Sequence, residues 1–384
     1  MQTNNLKSQF FLRNDITYLN FGAFGACPRP VLERCHQIQE EVEEDPTYFV
    51  LEKLPEYLKH ARIALSHFLT CNPDDVVYVT NPSYGVNIVA KSLDLKPGDE
   101  VLTTELEYGA CDRTWEYYCR KKGAVYVRQK IRFPIESKED FIAQFLKGIT
   151  PKTKLIFISH ITSSTALRLP VHEICRVAKE KGILIFIDGA HAPGQIEVNL
   201  ADLDADFYVG ACHKWMLAPK GSSFLYVRNE LQNQLDPLLI SWGYNSDNPS
   251  NSRFLDYHQM QGTKDYASFL TVPAAIGFMH QNNWEQVRSV CKTITQNNTE
   301  RFCKLLNASP LCPVNDDFIA QLYSINLKID APEKLHDILY HQYKIQVPVM
   351  PHNNNWYLRY SINAFNSNED LDKLFDALQA IVKK

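Results

Sequence analysis

The sequence predicts an α/β fold: a large domain with a mostly parallel central sheet, followed by a smaller α+β C-terminal domain. Three observations carry this. Short apolar runs alternate with helical patterns between residues 56 and 210, and each run is closed by Gly, Pro or Asp. Most of the runs are continuous in Val, Ile, Leu and Phe, as in strands covered on both faces. Taken in order, strands are expected at 76–80, 100–103, 124–128, 155–160, 183–188 and 207–210, with 224–228 after them. The stretch 171–181 represents the intervening helices: Val171, Ile174, Cys175 and Ala178 share one face, and Gly182 supplies a stop.

Past residue 240 the texture changes. Residues 241–253 are rich in Asn, Ser, Asp and Gly and read as a long loop at a boundary or an active site. A long helical region from Leu270, a strand at 322–329, a helix from Pro332, a turn at 347–351, a strand at 356–362 and a terminal helix make up the smaller domain. The expected division is a large domain at 15–260 and a small one at 261–384, which the N-terminal segment 1–14 joins.

A length of 384 residues suits two or three domains at roughly 150 residues each. With 45% hydrophobic and 22% charged residues the chain is ordinary globular protein, which excludes a disordered one. A net charge of −4 supplies no field for nucleic acid. The start Met1-Gln-Thr-Asn-Asn lacks the pattern of a secretory signal, and no run approaches the roughly 18 apolar residues of a membrane span. The 10 Cys form no C-x-x-C pair. We therefore expect a reduced, cytoplasmic enzyme with no nucleic-acid or membrane partner.

Chemistry concentrates in two segments, Ile183-Leu-Ile-Phe-Ile-Asp188-Gly-Ala-His191 and Tyr208-Val-Gly-Ala-Cys-His213-Lys214-Trp215. An Asp closing an apolar strand lies at the carboxyl edge of the sheet, where open α/β sheets bind ligands, and the next strand delivers Lys214 to the same edge. Pyridoxal 5'-phosphate needs this arrangement. A lysine amine binds its aldehyde carbon, and a carboxylate keeps its ring nitrogen protonated. Singly, Asp188 reads as a strand-end cap and Lys214 as a loop lysine; in this order they read as a pair. The stretch Asn81-Pro-Ser83-Tyr84-Gly85 follows a strand and opens a helix, so it can receive a phosphate or merely cap the helix. A zinc site of His160, His191 and His213 fits by residue type but matches no common ligand spacing.

In these segments, and from Tyr18-Leu-Asn20-Phe-Gly-Ala-Phe-Gly25 to Arg359-Tyr-Ser-Ile-Asn363, the chain resembles the class V aminotransferase family of fold-type I pyridoxal phosphate enzymes. It is most similar to the isopenicillin N epimerase-like branch. The resemblance implies that Lys214 is the Schiff-base lysine, that Asp188 contacts the pyridine nitrogen, and that His191 lies near the phenolic oxygen. It makes Ser83, Tyr84 and His213 phosphate contacts, although Ala211 stands where a polar ligand is common. Tyr108 becomes the ring stacked on the cofactor, with a core aromatic as the alternative; Thr162 becomes a contact to cofactor or substrate, with turn capping as the alternative. Gly262 and Thr263 reach the neighbouring subunit's phosphate, which implies a homodimer with shared active sites. Arg359 grips an α-carboxylate, a task for a planar bidentate donor, and Asn20 lines the substrate mouth through its backbone.

Desulfurases of this family need a nucleophilic cysteine shortly before the carboxylate-binding arginine, yet residues 313–384 contain no Cys. The reading is thus an enzyme that abstracts the α-proton of an amino acid, epimerase-like. A cysteine-type C–S lyase or aminotransferase is the alternative among enzymes. A catalytically silent pyridoxal-phosphate-binding regulator is the alternative outside them; it would need a partner-binding appendage, and none is evident.

Overall fold

The computed structural model describes residues 6–382. At its centre lies a seven-stranded sheet of β1 (Val76–Val79), β2 (Glu100–Thr104), β3 (Val125–Gln129), β4 (Thr153–Ser159), β5 (Leu184–Gly189), β6 (Phe207–Ala211) and β7 (Ser223–Val227). Their spatial order is β1-β7-β6-β5-β4-β2-β3. Every pairing is parallel except those of β7, which runs antiparallel to both β1 and β6. Because only β7 is reversed, β1 ends at the same edge as β2, β4, β5 and β6. All seven expected strands are present. The reason is visible in burial: β1, β6 and β7 are buried along their whole length, between two separate apolar clusters. Edge strand β3 is the exception, half-exposed throughout, as its Tyr, Arg and Gln allow.

Helix Val171–Glu180 buries Val171, Ile174, Cys175 and Ala178, and Gly182 follows with φ +64°, a left-handed stop that suits glycine. Beyond the loop at 241–252 come helices Arg253–Gln259, Val272–Gln281 and Trp284–Leu305. The second of these packs on Arg29–Glu44 and Leu54–Leu69.

The smaller sheet holds β8 (Leu322–Leu327), β9 (Val349–His352) and β10 (Asn355–Ser361), antiparallel in the order β9-β10-β8. Strand β9 corrects the turn expected at 347–351. Its prolines suggest a turn, but an edge strand tolerates Pro351 because one side needs no N–H. The end of β9 and the turn after it reach the residue that follows β2: His352 Nε2 and Asn353 Nδ2 lie 2.9 and 2.8 Å from the Glu105 carbonyl oxygen. Near the N-terminus, the Leu6 N–H donates to the Ala364 carbonyl, Phe10 packs edge-on against Phe365, and Thr17–Tyr18 pairs in parallel with Ile345–Gln346. Among the described residues no helix is long and apolar enough to cross a membrane.

Candidate active site

At the carboxyl edge of the large sheet a cavity of about 380 Å³ is walled by residues that follow β1, β2, β4, β5 and β6. The end of β5 sets Asp188 in this wall, buried, with Oδ1 accepting the Ala190 N–H at 2.9 Å and Oδ2 accepting the Cys111 thiol at 3.5 Å. Burial holds its pKa above the usual carboxylate range, against the opposing pull of the Ala190 N–H and the Lys214 charge.

The turn after β6 brings in Lys214. Burial, reinforced by the positive charge of Arg359, lowers its pKa to about 8, with Asp188 opposing. A close approach of the N-terminal segment covers this turn. Gly25 has φ +65°, and a Cβ there would lie 2.3 Å from the His213 carbonyl oxygen and 2.9 Å from Lys214 Cα, so only glycine fits.

His191 sits between the two. Trp215 Nε1–H points at its Nδ1 from 3.3 Å, which leaves the ring proton on Nε2, 3.4 Å from Lys214 Nζ. Burial, with the charges of Lys214 and Arg359, keeps the ring neutral, far below its usual pKa. His213 turns Nδ1 to the Ser222 carbonyl at 2.7 Å, and burial lowers its pKa to about 4. Of the third histidine weighed for zinc, His160, Nδ1 faces the Tyr208 hydroxyl at 3.1 Å. Among the described residues no group of three His, Cys, Asp or Glu could hold a metal ion.

After β1, Asn81 caps helix Pro82–Ser92 by accepting the Tyr84 N–H at 2.9 Å, and Ser83 stands in the cavity wall. Tyr84 itself packs on the apolar cluster behind the sheet, outside the wall. Tyr108 opens helix Gly109–Lys122 and lines the cavity with half of its surface (50%) exposed, which rules out the core-aromatic alternative.

The Thr162 hydroxyl takes part in a turn, 2.7 Å from the Thr165 hydroxyl and accepting the Leu167 N–H at 2.8 Å, while its neighbours Ile161 and Ser163 face the cavity. Gly262 and Thr263 lie at the surface, away from this chain's own cavity. Asn20 is buried but lines an adjacent groove, and its backbone carbonyl is taken by the Ala23 N–H at 3.2 Å.

Arg359, inside β10, is buried and donates from Nη1 to the Ser163 carbonyl at 2.6 Å; its Nε has no hydrogen-bond partner. No carboxylate among the described residues pairs with it, and burial lowers its pKa to about 10. Gly22 lies against it: a Cβ there would sit 3.5 Å from Nη2.

Sequence reasoning missed Glu107. This fully buried carboxyl takes the Thr104 hydroxyl at 2.6 Å and the Ser159 hydroxyl at 2.5 Å, and burial raises its pKa to about 8, with Asp188 and Asp112 adding to the rise. The spacing Thr104-x-x-Glu107 reads as an ordinary cap, and only the pairing of Ser159 with Asp188 brings the acid beneath the cavity.

The donor set fits pyridoxal phosphate on its chemistry: a buried carboxylate for the ring nitrogen, a buried amine of lowered pKa for the aldehyde carbon, and Ser83 at a helix N-terminus for the phosphate. Comparison with known proteins decides the family: the aminotransferase class-V model matches residues 17–374. The chain belongs to the aminotransferase class-V family. It is 31% identical to an isopenicillin N epimerase of Amycolatopsis lactamdurans, over 99% of this chain and 98% of that one. It is 25% identical to an L-cysteine desulfhydrase of Arabidopsis thaliana, over 96% of this chain and 88% of that one. The solved structure of a C-DES variant with glycine covalently linked to its PLP cofactor aligns with a TM-score of 0.86 at 19% identity, over 97% and 98% of the two chains, a likeness of fold. As a class V aminotransferase-family enzyme, the chain takes pyridoxal phosphate as its cofactor, and its fold is the fold-type I one.

Proposed function

We propose that this enzyme binds an α-amino acid and removes its α-proton, in the manner of an epimerase-like member of the family. The observation that carries this is Arg359, a buried guanidinium with no carboxylate partner among the described residues, which donates to the Ser163 carbonyl behind the cavity wall and whose charge adds to burial in lowering the pKa of Lys214. A substrate α-carboxylate would supply the missing anion, and the guanidinium would hold it by a charge-assisted pair of hydrogen bonds. Pyridoxal phosphate, when bound, supplies the electron sink that makes an α-proton removable.

Each residue then has a task. Lys214 Nζ binds the cofactor and, once released, accepts the α-proton; a pKa near 8 suits that transfer at neutral pH. His191 Nε2–H orients Nζ. Asp188 holds a proton on the ring nitrogen, while the Ala190 N–H and the Cys111 thiol fix the plane of its carboxylate. Tyr108 covers the cavity against water, and Ser83 and His213 anchor the phosphate end.

Return of the proton to the opposite face of Cα gives epimerisation. Loss of a β-substituent gives C–S cleavage, the second reading, which the similarity to L-cysteine desulfhydrases favours. A persulfide route is disfavoured because neither Cys303 nor Cys312, both buried, lines the cavity. The same reading includes a cytoplasmic homodimer in which Gly262 and Thr263 reach the partner's cofactor phosphate. It keeps the division at residue 260, with 1–14 joining the small domain; residues 1–5 lie outside the described residues, and for the rest the contacts of Leu6 and Phe10 with Ala364 and Phe365 speak.

The test is incubation of the cofactor-loaded protein with a panel of amino acids in deuterium oxide, following Cα–H exchange, inversion, keto acid and sulfide. Exchange that vanishes in Lys214→Ala is expected. A cofactor-loaded enzyme that exchanges no amino acid would overturn the proposal.

A further inference from the structure

His191 reaches Lys214 with its ring, but its backbone is held from the opposite direction. Four residues further on, Gln195 is only 3% exposed and turns its amide back: Nε2–H donates to the His191 carbonyl at 2.6 Å, and Oε1 accepts the Gln321 N–H at 2.8 Å. The amide has one orientation, because the carbonyl needs a donor and the N–H an acceptor. Gln321 immediately precedes β8 and grips Ile362, the residue after β10, from both sides. Its carbonyl accepts the Ile362 N–H at 3.0 Å, and its Nε2–H donates to the Ile362 carbonyl at 2.9 Å. Arg359 stands three residues earlier, inside β10. A second tie runs alongside, from Trp284 Nε1–H to the Gly194 carbonyl at 3.1 Å. On its other side the same turn presses on the residue after Lys214: a Cβ at Gly194 would lie 2.2 Å from the Trp215 carbonyl oxygen.

We propose that Gln195 is a positioning residue for the proton transfer: through its two hydrogen bonds the smaller sheet, which carries Arg359, holds His191 and with it the Lys214 amine in place. The inference rests on the proposed amino-acid reading and deepens it, since it ties the residue that would grip the α-carboxylate to the one that orients the amine. His191 needs such a hold. Its Nε2 is 3.4 Å from Lys214 Nζ and its Nδ1 is 3.3 Å from Trp215 Nε1, both long contacts that a small displacement of the ring would break. Gln195 itself lines no part of the reacting cavity, so its effect on the reaction passes through the groups it holds.

The experiment replaces Gln195 by Met, which fills much the same space without an N–H donor. Gln195→Asn, which keeps an amide but is one methylene too short to bridge both partners, is the second variant should the first not fold. Three quantities are read: the ring nitrogen shifts of the histidines, by NMR on isotope-labelled, cofactor-free protein; the rate at which that protein takes up pyridoxal phosphate, as growth of the visible absorbance band; and the rate of Cα–H exchange by the loaded enzyme on the amino acid that the wild type exchanges fastest. The two His191 ring shifts, assigned by their loss in His191→Asn, should draw together as both tautomers become populated, while those of His160 and His213 stay in place. Uptake and exchange should each slow about tenfold or more, while the Kd of the amino acid moves less than about threefold, because Arg359 keeps its own contacts. Unmoved His191 shifts, or uptake and exchange within about twofold of the wild type, would overturn the proposal. So would equal shifts at all three histidines together with a lowered Tm, which would make Gln195 a structural link alone. Failure of the amino-acid reading looks different: the wild type exchanges no amino acid, while the His191 shifts and the uptake rate still separate the variant from it.

Discussion

Replacing Glu107 by Gln removes one ionisable group from beneath the cavity while keeping its shape and its two hydroxyl neighbours, Thr104 and Ser159. Asp188, Asp112, Cys111 and Tyr126 are the titratable acids that interact with Glu107, while Lys214 acts on Asp188 from the far side. Its pKa of about 8 in the folded chain, against 4.5 unperturbed, means that the folded state holds a proton the unfolded state has lost between those two values. Stability is therefore fully present below pH 4.5 and is lost as the pH rises through about 8. At about 1.4 kcal/mol per pH unit, the loss comes to at most about 5 kcal/mol. For 384 residues the unfolding entropy, at about 2.1 cal/mol/K each, is about 0.8 kcal/mol/K, so the loss corresponds to up to about 6 °C in Tm. Melting curves of the cofactor-loaded wild type and Glu107→Gln, recorded from pH 5 to 9, should coincide within about 1 kcal/mol at pH 5, diverge steadily up to about pH 8 and run parallel above it, with the variant the more stable. Parallel curves across the whole range would refute a neutral Glu107.

Three further outcomes follow from the same geometry. Asp188→Asn should keep its fold and much of its cofactor but lose turnover by about a hundredfold or more, because an amide cannot hold the ring nitrogen protonated; near-normal kcat in the loaded variant would remove Asp188 from that role. Arg359→Lys should lower kcat/KM by roughly 10- to 150-fold, mostly through KM, since one fork-shaped donor worth about 1.5–3 kcal/mol is lost; an unchanged KM would place the α-carboxylate elsewhere. Replacing Cys303 and Cys312 together by Ala should leave the amino-acid reaction largely intact, with a lower Tm from the small cavities left behind; a folded double variant without turnover, alongside a trappable persulfide in the wild type, would restore the desulfurase route.

The strands and the meeting of Asp188 with Lys214 at one sheet edge were legible in the sequence for one physical reason. A strand buried on both faces must be continuously apolar, so the first charged residue after it, Asp188 in one case, marks the sheet edge, and Lys214 follows the next such strand by a short turn. Where the signal depends on which elements meet, the sequence is silent. Glu107 looks like a capping residue until β2 and β4 are adjacent, and Thr162 looks available until the turn to Leu167 closes on it. Strand β9 was hidden by prolines that an edge position forgives. Asn20 illustrates the finest limit: its backbone is expected at the substrate mouth, but the residue borders a neighbouring groove and not the reacting cavity.

The central claim is that Lys214 holds the cofactor, and borohydride reduction of the loaded protein followed by peptide mapping tests it most directly. Lys220 and Lys264 are also partly buried with lowered pKa values, so either could compete for an aldehyde on reactivity alone. Among the lysines of the described residues only Lys214 shares a wall with Asp188, His191 and Ser83. The account predicts the reduced pyridoxyl label on Lys214 and its loss in Lys214→Ala. A label on Lys220 or Lys264, with Lys214 unmodified, would contradict it.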